Sequence, residues 1–399
     1  MANILDYLDW RGDLTVGRDC FNEVDGLILA ELCFIDFSGI ASPPETGEGV
    51  PLRAAAETYF SKHGEEPVNM GALVPQKIPE LLRRAASSAR FRDMRVNAFE
   101  EITDDAREEQ FAAVCFEIGD GTVFCAFRGT DDTLVGWKED LNLGFLEAIP
   151  SQTQAVSYLE RVARQYEGFR LRVGGHSKGG NLSIYSAVFA SEAVQERIER
   201  VYNYDGPGFR SNLEETEGHR RIAPRILTIM PQSSVVGMIL EHEKNADVVH
   251  STAIGIGQHD GFSWEVRGTS FTRMDGFSRE GKRTEETLES WTESLSIPQR
   301  RAFVNAFYEV LTGTGARTLS DLNEDALKSA AGMLKTYREL DEETRRALSG
   351  ALSLLMRYHA KGIAQDMRDS QGKSVEEARH KIEEFLQKLG LPGDAARRD

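Results

Sequence analysis

The sequence predicts an α/β protein: a mostly parallel central sheet flanked by helices, followed by a C-terminal α-helical segment. Three observations predict it. First, Gly175-His176-Ser177-Lys178-Gly179 spells G-x-S-x-G between an alternating strand candidate, 169–173, and a small-residue helix candidate, 181–190. Second, further short apolar strand candidates at 199–205, 225–230 and 247–251 follow that helix. Strands separated by helices imply parallel pairing. Third, the texture changes after about residue 280, beyond which apolar residues recur at helical spacing.

The elements follow in order. Residues 20–37 read as a mostly apolar helix, with Asn22 as its N-cap and Asp25 three positions on. The stretch Ser42–Gly49 is a Pro- and Gly-rich loop, and 52–61 and 78–91 read as helices. Strands begin at residue 96. The runs 110–118 and 122–127 flank Gly119-Asp120-Gly121, a hairpin signal. An amphipathic helix at 152–166 precedes the G-x-S-x-G strand. In the C-terminal segment Ser296 caps a helix with Pro298 in its first turn, and Phe303, Phe307, Val310 and Leu311 share one face. Leu327, Ala331, Leu334 and Tyr337 repeat that spacing, as do Leu348, Leu352, Leu355 and Met356. A last helix is expected at 374–389. The division expected is an α/β unit over 1–280 (N-terminal helices 1–95, motif-bearing core 96–275) and a helical unit over 281–399. That helical unit either packs on the first or presents a protein-partner surface.

Composition narrows the function classes. The chain has 399 residues and a formal net charge of −17, which would repel a phosphate backbone and argues against nucleic-acid binding. It holds no apolar run of about 18 residues, so no membrane span is expected. The acidic N-terminus lacks the basic and apolar regions of a signal peptide. Cys20, Cys33, Cys115 and Cys125 form no C-x-x-C and sit among apolar neighbours. They are expected as buried thiols in a reducing cytoplasm. With no metal cluster and no dinucleotide fingerprint, no metal and no cofactor are expected.

A serine on a sharp strand-to-helix turn is the arrangement of a nucleophile elbow, in which neighbouring glycines make room for the strained backbone. Such a serine needs a base, an orienting acid and an oxyanion hole. His259 is the expected base, because it lies in a Gly-rich loop beyond the last strand candidate, where an imidazole can reach back over the sheet. His250 falls inside a strand candidate, His242 in a charged surface stretch, and His219 beside Arg220 and Arg221 on a loop. Asp205 is the expected acid, at the end of the strand after the elbow helix and before Gly206-Pro207. The backbone N–H of Lys178 supplies one oxyanion donor and Thr130, after strand 122–127, the second. Trp137 and Asp140 follow as residues that hold the Thr130 loop.

Phe127-Arg128-Gly129-Thr130, Trp137, Asp140 and Gly175-His176-Ser177-Lys178-Gly179-Gly180 together resemble the class 3 lipase pattern, F-R-G-[ST], W-x-x-D-L and G-H-S-L-G-G. The resemblance covers about 110–265. It is similar in particular to a bacterial lipase-like branch with Lys in place of Leu after the serine. It implies an α/β-hydrolase fold, Ser177 as nucleophile, Thr130 as an oxyanion residue, and hydrolysis of a carboxylic ester or lipid-like small molecule. Two departures stand out. The usual acid loop here reads Pro231-Gln232-Ser233-Ser234, with no Asp. Lys178 brings an ammonium beside the serine, to select substrate charge or to snorkel to solvent. Segment 131–150 lies where class 3 lipases carry a lid, and Val235–Leu240 either lines an acyl pocket or is core. Two other functions fit the same motifs: an idle α/β-hydrolase scaffold serving as an interaction protein, and an acyltransferase using the same triad.

Overall fold

The structure is a computed structural model that describes residues 1–64, 68–72, 74–210, 212–240, 245–324 and 326–369, with side chains as far as Tyr358 in the last helix. The helix expected at 374–389 and His242 lie outside the described residues.

The chain opens with α1 (Ile4–Arg11), which the sequence pattern did not reveal, and α2 (Glu23–Leu32). Asn22 caps α2 as expected, in a reciprocal box with Asp25. This helix stops at Cys33, short of the predicted residue 37. β1 (Val50–Pro51), α3 (Leu52–His63), α4 (Ile78–Ser87), β2 (Arg95–Asp104), β3 (Glu109–Glu117) and β4 (Thr122–Phe127) follow. The Gly119–Gly121 hairpin joins β3 to β4. Then come α5 (Leu134–Asn142), α6 (Pro150–Gln165), β5 (Arg170–His176), α7 (Lys178–Phe189), α8 (Glu192–Arg197), β6 (Ile198–Tyr204), α9 (Glu217–Ile222), β7 (Ile226–Pro231) and β8 (Asp247–Val249). A small hairpin, β9 (Val266–Arg267) and β10 (Ser270–Phe271), precedes α10 (Arg279–Glu293), α11 (Ile297–Thr312), α12 (Leu319–Glu324), α13 (Ala326–Glu339) and α14 (Glu342–Asp369).

Among the described residues β1 to β8 form one sheet in sequence order. Pairing is antiparallel from β1 to β4 and parallel from β4 to β8, so the parallel half carries the G-x-S-x-G motif. Strand alternation builds two cores. On one face Phe124, Ala126, Tyr202 and Tyr204 meet α1 to α4; on the other Val123, Cys125, Phe127, Leu171 and Val173 meet α6 and α7. The result is an α/β-hydrolase fold with helices on both sheet faces and C-terminal helices beyond it.

α2 is held tightly. Buried Asp25 accepts from Arg90 Nε (2.6 Å) and Tyr7 Oη (2.9 Å), and Tyr204 donates to the Glu23 carbonyl (2.6 Å). Gly26 permits this approach, since a Cβ there would sit 2.3 Å from the Tyr204 hydroxyl. The C-terminal helices have their own core around Leu295, Phe303, Val304 and Leu348, which also takes in Phe145 from the turn after α5. Ser278 N donates to the Gln232 carbonyl and Leu134 N to the Arg317 carbonyl, both at 2.8 Å, fastening these helices to the sheet unit. Cys33, Cys115 and Cys125 are buried free thiols, but Cys20 is exposed because it precedes α2 on a surface turn. No helix among the described residues is long and apolar enough to cross a membrane.

Candidate functional site

The site grows from the turn between β5 and α7. Ser177 has φ +59° and ψ −134°, a conformation that L-residues rarely adopt and that costs of order 1–3 kcal/mol. Gly175 and Gly179 make it possible. A Cβ on Gly179 would lie 2.1 Å from the Phe127 carbonyl, and one on Gly175 would lie 2.4 Å from Gly179. The Ser177 N–H donates to the Tyr204 carbonyl (2.9 Å), which ties the turn to the end of β6.

That strand end carries Asp205, fully buried and also at positive φ (+50°). Its Oδ2 lies 2.7 Å from His259 Nδ1, and its Oδ1 accepts from Ser234 Oγ at 2.5 Å. The loop after β7 thus carries no Asp, as the sequence reads, but contributes a hydroxyl to the carboxylate one strand away. Asn181 in α7 donates to the carbonyls of Pro207 and Gly208, both at 3.0 Å, and so fixes the chain after Asp205. Two further carboxylates of this part of the chain, Asp247 and Asp260, are engaged elsewhere. Asp247 pairs with Arg273 (2.9 Å), and Asp260 accepts from Phe262 N (2.9 Å). His250 lies 3.1 Å from Glu265, and His219 sits buried in α9 rather than on a loop.

Ser177 and His259 line one cavity of about 490 Å³. The Ser177 hydroxyl makes no hydrogen bond among the described residues; such contacts often tighten only around substrate. As the first residue of α7, Lys178 has a backbone N–H with no intrahelical acceptor. Thr130 lines the same cavity and donates its hydroxyl to Asp140. Asp140 keeps 23 % side-chain exposure but lines the cavity, and burial pushes its carboxyl up to about 6 against the opposing pull of Lys178 and Thr130.

The Lys178 side chain departs from expectation. It neither snorkels nor faces substrate: it is 1 % exposed, and its ammonium donates to the Gln110 carbonyl (2.8 Å), Gln110 Oε1 (2.7 Å) and Glu139 Oε2 (2.9 Å). Glu139, on α5, also accepts from Gln110 N (3.0 Å) and Ser151 N (2.9 Å). The ion pair bolts α5 to the elbow helix and β3. The one carboxylate of segment 131–150 at 0 % exposure, Glu139, is thus paired inside the protein with a residue of the elbow helix. The same cavity is lined by Trp291 from α10, Leu295 from the turn after it and Phe303 from α11, with Val236, Ile239 and Leu240 from the chain after β7.

Sequence reading missed four contributors: Ser234, Glu139, Glu31 and His176. A Ser in a loop, a Glu on a helix and the first x of G-x-S-x-G carry no local signal of these roles.

A family model described as Mbeg1-like matches residues 85–309. No curated protein matches the chain. Among solved structures, the Rhizomucor miehei lipase propeptide complex aligns at 16% identity over 53% of this chain and 84% of that one, with a TM-score of 0.31. Lip2 lipase from Yarrowia lipolytica aligns at 10% identity over 60% of this chain and 90% of that one, with a TM-score of 0.33. The family match spans more than half of the chain and takes in Thr130, Ser177, Asp205 and His259, so the chain belongs to the Mbeg1-like family.

Proposed function

We propose that the chain is a serine hydrolase acting on a carboxylic ester with an apolar acyl group. The observation that carries this reading is the 2.7 Å contact between His259 Nδ1 and the strand-end carboxylate of Asp205, in the cavity that holds the elbow serine. Asp205 accepts from Nδ1–H, so Nε2 of the neutral ring is free to take the Ser177 proton. The Ser177 oxygen attacks the ester carbonyl carbon. The backbone N–H groups of Lys178 and Thr130 stabilise the oxyanion, while the Thr130 hydroxyl stays with Asp140. His259 then returns the proton to the leaving alcohol, and a water repeats the sequence on the acyl-enzyme. The C-terminal part of α10, the turn after it and the middle of α11, here read as part of the 281–399 unit, supply an apolar wall suited to an acyl chain.

A fluorophosphonate probe tests the reading, followed by p-nitrophenyl esters of increasing acyl length. Ser177 is expected to be labelled in the wild type, Ser177→Ala to stay unlabelled, and turnover to favour acyl chains longer than acetyl. An unlabelled wild type, or equal labelling of both proteins, overturns it.

A further inference from the structure

Behind His259, on the face turned toward α2, lies a second acid–imidazole pair. Glu31 sits in the last turn of α2 and is fully buried, at 0 % exposure. Neither of its carboxyl oxygens has a hydrogen-bond partner. Its Oε1 lies 3.3 Å from Nδ1 of His176, which ends β5 immediately before the elbow serine. His176 Nε2 is 2.8 Å from the backbone carbonyl of His259, and the two rings stack at 4.4 Å with 28° between their planes. Trp264 meets the His176 ring edge-on at 6.3 Å and donates its indole N–H to the Gln258 carbonyl at 2.8 Å. The backbone on both sides of the 258–259 peptide is thus held from behind. Gly261 leaves space for the carboxyl, since a Cβ there would stand 2.9 Å from Glu31 Oε1.

A carbonyl only accepts, so the His176 Nε2 facing His259 O must carry the hydrogen. A neutral His176 then presents a bare lone pair at Nδ1, toward Glu31. A carboxylate in that place would have no N–H or O–H to stabilise it and would face another lone pair; a carboxylic acid has a hydrogen to offer. The ionisable groups around Glu31 are His176 on β5 and His259 and Asp260 on the loop after β8. Both members of the pair lean toward their neutral forms. Burial, with Asp260 adding to it, holds the Glu31 carboxyl well above the usual range. Burial, then the neighbouring His259, holds His176 well below the usual imidazole range.

We propose that Glu31 and His176 are positioning residues for His259: the acid of Glu31 donates to His176 Nδ1, and His176 donates from Nε2 to the His259 carbonyl, fixing the imidazole between Asp205 and a stacked, uncharged ring. The inference rests on the reading of Ser177 and His259 given above. An uncharged His176 has a function in that chemistry. When His259 takes the serine proton it becomes an imidazolium, and a second imidazolium stacked at that separation would oppose it.

Glu31→Leu and His176→Phe break the chain, His176→Phe while keeping a flat ring against His259. Each is expected to lower kcat about ten- to a hundredfold, with KM within about twofold. Glu31→Gln keeps an N–H donor in the same place and is expected to restore most of the rate. In histidine-labelled wild-type protein, the ¹⁵N spectrum should show His176 as the neutral Nε2–H tautomer from pH 5 to pH 8. Wild-type labelling of Ser177 by a fluorophosphonate tests the underlying reading separately. If the wild type labels, and folded Glu31→Leu and His176→Phe label and turn over at wild-type rates, the positioning role is wrong. If Glu31→Gln loses as much as Glu31→Leu, a charged carboxylate is required and the neutral-donor assignment is wrong. Should the disruptive variants fail to fold, the spectrum decides: an imidazolium or Nδ1–H form of His176 overturns the proposal.

Discussion

Replacing Lys178 by methionine removes one ammonium from a place where water cannot replace it. The stem keeps its length, and the backbone N–H read as an oxyanion donor is untouched. What remains is the Glu139 carboxylate, fully buried, still accepting from Gln110 N and Ser151 N but without its cation. Gln110 loses both contacts that its carbonyl and side-chain oxygen make with the ammonium. Removing one partner of a buried, hydrogen-bonded ion pair costs about 3–5 kcal/mol. Against a total stability of about 5–15 kcal/mol this is a large fraction. The urea midpoint of Lys178→Met should therefore fall well below wild type with little change in slope. The double variant Lys178→Met/Glu139→Gln tests the cause. A neutral amide keeps an oxygen for Gln110 N or Ser151 N and removes the stranded charge, so the midpoint should recover most of the loss. Unfolding followed by intrinsic fluorescence, with the Ser177 labelling rate measured below the transition, reads both consequences. A Lys178→Met midpoint equal to wild type, or a double variant no more stable than the single, would refute the argument.

Further expectations concern the site itself. Asp205→Asn should leave the fold intact and lower turnover by about two to four orders of magnitude, through loss of tautomer control at His259; a rate within tenfold of wild type, measured on a p-nitrophenyl ester, counts against the triad. Ser234→Ala removes the hydroxyl that Asp205 accepts at 2.5 Å and that accepts from Gly237 N at 3.0 Å; it should cost about tenfold in kcat and lower the thermal midpoint modestly. Asp140 is raised to about 6 by burial, so the folded state binds its proton more tightly than the unfolded chain does. Its contribution to stability is therefore full below the unfolded value and is lost as pH rises to about 6, and Asp140→Asn should flatten that part of the stability–pH curve. Gly179→Ala would place a methyl 2.1 Å from the Phe127 carbonyl and should abolish Ser177 labelling even where soluble protein is recovered.

The parts legible in the sequence are those written into near neighbours. The period of two in 122–127, the glycines around Ser177, the Asn22 and Ser296 caps and the Gly119–Gly121 turn each depend on backbone sterics within a few residues. They located the central strands, the elbow and the main helices of the C-terminal segment. Short or weakly patterned elements escaped: β1 is two residues long, and α10 is a charged helix with little buried surface. Chain order and strand ends also brought Asp205 and His259 forward as candidates, although 54 residues separate them.

Tertiary structure alone decided what the charges and polar groups do. Lys178 looks like a substrate-facing cation until the fold places Gln110, 68 residues away, and Glu139 around its ammonium. Ser234 acquires its partner because β6 and β7 are neighbours in the sheet, and Glu31 meets His176 because α2 lies across β5. Which helices line the Ser177 cavity was equally out of reach, since it depends on where α10 and α11 pack. The physical reason for the polar groups is the same. Backbone geometry is a local property that residue type reveals, whereas the state of a buried ionisable group depends on which distant groups displace its water.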